Sequence, residues 1–144
     1  MSHEEELVMQ KAQGELALTI TSKPENITQV ENFIEKIQKL LNFRDELYGN
    51  ILVALTEAVN NAIFHGNQTN ESKRVDIQFV ESSGNLEFKV ADQGPGFDHE
   101  NLPDPTAPEN IEKATGRGVF LMRSLSDSCE YENNGNTVKL QFKL

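Results

Sequence analysis

The chain predicts an α+β fold, a single-domain two-layer sandwich with a mostly antiparallel sheet and its helices on one face. Three observations predict it. Five segments alternate apolar and polar residues with the period of a half-buried strand, and four of them fall into two pairs, each joined by a short turn sequence, SSGN or NNGN. Two longer segments carry apolar residues at helical spacing. The order β-α-α-β-β-loop-α-β-β then brings helices and strands together without an internal repeat or a separate linker, and 144 residues suit one core.

Taken in order, residues 1–12 read as a flexible polar leader. MSHEEELVMQK is acidic where a secretory signal would be basic. ELALTIT (15–21) alternates and reads as a strand. After Pro24, residues 26–41 form an amphipathic helix with Val30, Phe33, Ile34, Ile37, Leu40 and Leu41 on one side. A second helix runs from Asp45 to about His65, with Gly66 as its stop. RVDIQFVES and NLEFKVAD make a hairpin. Residues 93–115 hold four of the five prolines and no periodicity, so they read as a long loop, which in a compact domain is usually functional or mobile. GRGVFLMRSLSD is a short helix with a glycine-rich start, in which Phe120 and Met122 are expected in the core. SCEYEN and TVKLQFKL close the chain as a second hairpin.

The bulk composition excludes several functions. A formal net charge of −10 argues against non-specific nucleic-acid or anionic-lipid binding, which needs a basic footprint. Cys129 is the only cysteine, so neither a disulfide within the chain nor a cysteine-rich zinc site is available. The longest purely apolar run, ILVAL, cannot span a bilayer. A cytoplasmic protein is expected, with no membrane and no direct nucleic-acid partner.

Within the second helix one stretch stands apart, EAVNNAIFHGN (57–67). From Leu47 to Asn67 the only formal charge is Glu57. Ile51, Leu55, Ala58, Val59 and Ala62 share the core side, while Asn50, Glu57 and Asn61 share the other, flanked by Val53 and Phe64. A wet helix face normally carries several charges, so this one reads as the floor of a cleft, with a self-satisfied polar network as the alternative. His65 reads as a helix-end residue.

Two glycine loops follow. VADQGPGFD sets Asp92 at a strand end before Gly94 and Gly96, where the missing Cβ lets backbone turn tightly or approach a flat ligand. Taken alone it reads equally well as an ordinary turn. TGRGVFLMRSL brackets Arg117 with Gly116 and Gly118 at a helix start, where free N–H groups and the helix dipole favour an anion. It has neither the Walker nor the Rossmann spacing.

In this order the three stretches EAVNNAIFHGN, DQGPGFD and GRGVFLMRSLSD resemble the ATP-binding boxes of the GHKL superfamily. The chain looks most like the small serine-protein kinases that act as bacterial anti-sigma factors, over about residues 10–144. The resemblance implies a Bergerat-type ATP-binding fold with ATP and Mg²⁺ as cofactors. It makes Glu57 the general base and Asn61 the Mg²⁺ ligand. Asp92 would accept from the adenine amino group, Gly94 and Gly96 would shape the pocket, and Thr137 would reach the adenine side. Gly116, Arg117 and Gly118 would sit at the phosphates, under a lid formed by residues 97–115. A lone domain of this size is expected to phosphorylate a separate protein. The implied partners are an anti-sigma factor antagonist and a sigma factor. A homodimer is expected too, with ELALTIT as an exposed edge strand that invites pairing. An inactive, ATP-regulated binding module is the competing reading; keeping Glu57 beside Asn61 favours the kinase.

Overall fold

The computed structural model describes residues 7–10, 14–96 and 114–144. In chain order the regular elements are β1 (Leu7–Gln10), β2 (Glu15–Thr21), α1 (Ile27–Leu41), α2 (Asp45–Asn61), β3 (Arg74–Ser82), β4 (Asn85–Ala91), α3 (Ala114–Leu125), β5 (Ser128–Glu132) and β6 (Thr137–Lys143). The strands form one antiparallel sheet in the order β1-β2-β3-β4-β6-β5.

Period-two alternation decides which face of the sheet is covered. Leu16, Leu18 and Ile20 of β2 are buried, as are Val75, Ile77 and Phe79 of β3, Leu86, Phe88 and Val90 of β4, and Val138, Leu140 and Phe142 of β6. The register sets Phe79 opposite Phe88, with ring centroids 4.9 Å apart. Onto this face α1 lays Val30, Phe33, Ile34 and Ile37, and α2 lays Leu47, Ile51, Ala54, Leu55, Ala58 and Val59, in one continuous core. Each fully buried Leu, Ile or Phe stabilises by roughly 1.5–3 kcal/mol. The opposite face is polar. Thr19 Oγ1 donates to Asp76 Oδ1 (2.8 Å), Gln141 Nε2 donates to Glu87 Oε1 (2.9 Å), and Lys89 pairs with Glu132 at 3.4 Å. Helices therefore pack on one side only, as the alternation predicts.

The β3–β4 hairpin closes through Ser83 and Gly84, with φ of 50° and 80°. Two central residues at positive φ match the twist of the flanking strands.

Several expectations need correction. ELALTIT is not an edge strand, because Leu7–Gln10 pair antiparallel with it on the side away from β3. This strand lies inside the stretch read as a leader; four residues, LVMQ, are too few to show alternation. The α-helical pattern of α2 stops at Asn61, and Ala62–Gly66 continue as a π turn. Helix α3 starts at Ala114, so Gly116, Arg117 and Gly118 lie inside its first five residues rather than before it. Of the expected lid, residues 97–113 lie outside the described residues. Finally, Met122 is buried but Phe120 is 48% exposed, because α3 turns Gly118, Val119 and Met122 inward and Phe120 falls on the other side. Leu40, in the last turn of α1, is exposed as well. Among the described residues no helix is long and apolar enough to cross a membrane.

Candidate functional site

The side of α2 facing away from the core lacks lysine and arginine, and α3 comes across it. Asn50, Glu57 and Asn61 are partly buried there, and Val53 and Phe64 beside them are exposed. A Cβ placed on Gly118 would stand 2.9 Å from Glu57 Oε2 and 3.0 Å from Asn61 Nδ2. The carboxylate and the carboxamide thus converge on one point at the glycine turn of α3. Asn61 Nδ2 is buried and has no hydrogen-bond partner among the described residues. A buried amide that its own fold leaves unpaired calls for another partner.

One helix turn further on, the π turn swings Gly66 against the end of β4. A Cβ on Gly66 would collide with the Asp92 carboxylate, and one on Gly94 would collide with the Gly66 carbonyl. Asp92 Oδ1 accepts the Gly94 N–H at 2.8 Å, and the Asp92 N–H extends the ladder by donating to the Asn136 carbonyl at 2.9 Å. Single-turn π segments interrupt α-helices mostly at functional sites, and here the effect is to bring backbone against backbone.

Asn67 ties this junction together. Its side chain is fully buried; Nδ2 donates to Ser22 Oγ (2.8 Å) and to the Arg74 carbonyl (3.0 Å), while Oδ1 accepts the Gln93 N–H (2.8 Å). The end of α2, the end of β2, the start of β3 and the exit from β4 are held by one carboxamide.

Between α2 and the sheet lies a cavity of about 150 Å³. A space of this size takes a single aromatic ring. Ala58 and Ala62, one turn apart, leave room on the helix side, and Val90 and Val138, cross-strand neighbours, form the opposite wall. Asp92 and Asn61 supply polar groups at the margin, joined by His65, Tyr131 and Asn136. An apolar slot with one carboxylate acceptor is suited to a flat heterocycle bearing an amino group.

Burial pushes the Asp92 carboxyl above its usual range, opposed by the Gly94 N–H and the positive charge of Lys73. The folded protein therefore binds this proton more tightly than the unfolded chain does. The resulting stability penalty is absent below the unfolded value of 3.8 and develops as pH rises through the folded value. Asp92→Asn, which keeps the Oδ1 acceptor, is expected to hold or raise the melting temperature at pH 7 while weakening ATP binding. In the parent, ATP affinity should fall as the pH drops through the Asp92 titration. A variant that melts lower yet binds ATP normally would show that Asp92 serves the fold.

The residues expected to act together are arranged as follows. Asn61, Asp92 and Gly96 line the cavity, the last at φ +85°. Glu57 and Gly118 meet beside Asn61. Gly94 supports the site from beneath Gly66 rather than lining it. Thr137 is buried and does not line the cavity, but its Oγ1 donates to Asn136 Oδ1 (3.1 Å), and Asn136 Nδ2 donates to the Gly94 carbonyl (3.3 Å). Gly116 and Arg117 belong to the opening of α3. Sequence reasoning missed Gly66, Asn67, Tyr131 and Asn136 as site residues and set His65 aside. Gly66 and Asn67 stand inside the quoted helix motif, whereas Tyr131 and Asn136 carried no signal beyond their hairpin.

The α+β fold is that of a histidine kinase-like ATPase domain, and the chain belongs to that family, whose model matches residues 20–142. The GHKL resemblance of the three boxes is thereby borne out. Among curated relatives, a serine-protein kinase RsbW from Oceanobacillus iheyensis is 29% identical over 124 residues, covering 82% of this chain and 78% of the relative. One of the same name from Bacillus licheniformis is 26% identical over 139 residues, covering 92% and 87%. The crystal structure of the RsbU and RsbW domains of a Mycobacterium tuberculosis protein superposes with a TM-score of 0.66 at 16% identity. It covers 90% of this chain, which spans about a third (32%) of that longer one, and it shows the fold alone.

Proposed function

We propose that the chain is an ATP-dependent serine-protein kinase of the anti-sigma factor type, which phosphorylates an antagonist protein and sequesters a sigma factor. The observation that carries this reading is the convergence of Glu57 and Asn61 beside the cavity under α3. Glu57 is the only carboxylate of α2 outside its first turn, where Asp45 and Glu46 stand. In this reading Glu57 takes the proton of an incoming serine hydroxyl. The serine oxygen then bonds to the γ-phosphorus as the bond to the β-phosphate oxygen breaks, and ADP leaves. In such transfer the protein's share is mainly positioning and charge stabilisation. Asp92, with the Gly66–Gly94 junction, orients the adenine. Gly116, Arg117 and Gly118 receive the phosphates at the opening of α3, with residues 97–115 as the lid.

Among the described residues no three of His, Cys, Asp and Glu stand together. The Asn61 carboxamide oxygen would fill one position of an oxygen shell whose remainder is phosphate and water, the mode Mg²⁺ favours, while the unpartnered Nδ2 could donate to a phosphate oxygen. Bound there, Mg²⁺ would neutralise charge on the transferring phosphates.

The homodimer and the cytoplasmic setting belong to the same reading; strand pairing between copies would use β1, now the outer strand, rather than β2.

The test is incubation with labelled ATP and a candidate antagonist protein, with Mg²⁺ and with EDTA, scored by phosphoserine mass spectrometry. Transfer should require the metal. GTP should bind at least roughly tenfold more weakly than ATP, since guanine would set a carbonyl against Asp92 and leave both acceptors unpaired. If no phosphate reaches an antagonist that demonstrably binds, the kinase reading fails and the chain is an ATP-regulated binding module.

A further inference from the structure

Asp92 reads only half of a base edge. It is an acceptor, suited to one amino hydrogen, and the adenine ring carries a nitrogen acceptor on either side of its amino group. A donor beside Asp92 would complete the match. Tyr131 lines the same cavity as Asp92. It is directly opposite Val138 on β6, and Val138 is directly opposite Val90 on β4. Side chains opposite one another in adjacent strands share a face, so Val90, Val138 and Tyr131 form one row across the sheet, and all three line the cavity. Asp92 follows Val90 by two residues and lines the same cavity. The row ends at Tyr131 because β5 is the last strand of the sheet. Its ring is partly buried against the core, which closes the slot at that end.

We propose that Tyr131 is a base-selecting residue, whose hydroxyl donates to a ring nitrogen of adenine while Asp92 accepts from the neighbouring amino group. This rests on the ATP reading of the cavity and extends it to a residue outside the three sequence boxes. Guanine presents a carbonyl in place of the amino group, so an acceptor at Asp92 and a donor at Tyr131 would reject it at Asp92 and accept adenine at both. The phenol remains protonated through the neutral range. Burial, foremost, and the acidic neighbours Cys129 and Asp92 push its pKa up, against the charge of Arg123. It is therefore a donor under all conditions in which Asp92 is an acceptor.

The experiment is calorimetric titration of the full chain with Mg²⁺-ATP and with two analogues in which carbon replaces N1 or N7 of the purine. Parent and Tyr131→Phe are compared, with melting curves for both. Phenylalanine keeps the ring against the core and removes only the hydroxyl. The expected result is a roughly three- to tenfold loss of ATP affinity in Tyr131→Phe, the size of one neutral hydrogen bond. With one of the analogues, parent and variant should bind alike, since that analogue has no acceptor left to lose. The proposal is overturned if the variant loses the same factor with ATP and both analogues, or loses nothing with ATP. It is also overturned if the parent binds ATP and both analogues equally, an outcome that needs no variant. A parent that binds no ATP sinks the nucleotide reading and this proposal together. A parent that binds ATP but transfers no phosphate sinks the kinase reading alone.

Discussion

Glu57→Gln is expected to slow phosphoryl transfer to the antagonist by roughly 10²–10⁴-fold, the usual cost of losing a general base. Glutamine keeps the length and planarity of the side chain that meets Gly118, so the turn of α3 stays in place. The substitution removes the proton acceptor and nothing that holds the base ring, because Asp92 and the alanine–valine walls lie farther along the slot. ATP affinity should therefore stay within about a factor of two, which is the signature of an interaction made only in the transition state. Asn61→Ala should behave differently. It removes the carboxamide proposed to ligate Mg²⁺ through its oxygen, together with the buried Nδ2 donor, so Mg²⁺-ATP affinity and transfer should fall together. Single-turnover transfer and calorimetric binding, measured on the same preparations, separate the two. Parental transfer in Glu57→Gln would remove Glu57 from the chemistry.

The second large effect is expected at Gly94. Alanine there would place a methyl group on the Gly66 backbone carbonyl, and backbone cannot swing aside as a side-chain end can. Either the π turn or the exit from β4 must move, and overpacking of this kind costs about 1–3 kcal/mol, sometimes more. The displacement falls on Asp92, whose Oδ1 accepts the Gly94 N–H. ATP binding should be lost in Gly94→Ala while the sheet remains folded. Gly118→Ala is the contrasting case. Its methyl meets the ends of Glu57 and Asn61, which can rotate, so that variant should keep its adenine site and lose transfer. Urea denaturation with ATP titration checks both. If Gly94→Ala binds ATP as the parent does, the interlocked glycines are not what aims Asp92.

The elements were legible where a segment was long enough to show its period. ELALTIT and RVDIQFVES match β2 and β3 residue for residue, and the pattern from Ile51 to Ala62 sorted the buried side of α2 from the side bearing Glu57. β1 was not legible, since LVMQ is short and its evidence is the partner strand. Phe120 was misplaced because the continuous apolar run VFLM puts apolar residues on every side of the helix. Only packing against α2 picks one.

The sequence by itself determined the two layers, the polar stripe of α2 and the residue types available to bind a nucleotide. These follow from local periodicity and from the chemistry of single side chains, which act over a helix turn or a strand pair. Tertiary structure decided what meets what. That Gly66 abuts Asp92, that Gly118 lies on Glu57 and Asn61, and that Asn67 joins the ends of three strands are contacts between residues 26–61 positions apart, apart from the bond from Asn67 to Arg74. No periodicity encodes such contacts. They exist because burying one face of the sheet under α1, α2 and α3 leaves a single way to bring those chain segments together, and the cavity walled by Val90, Val138 and Tyr131 is a product of that packing.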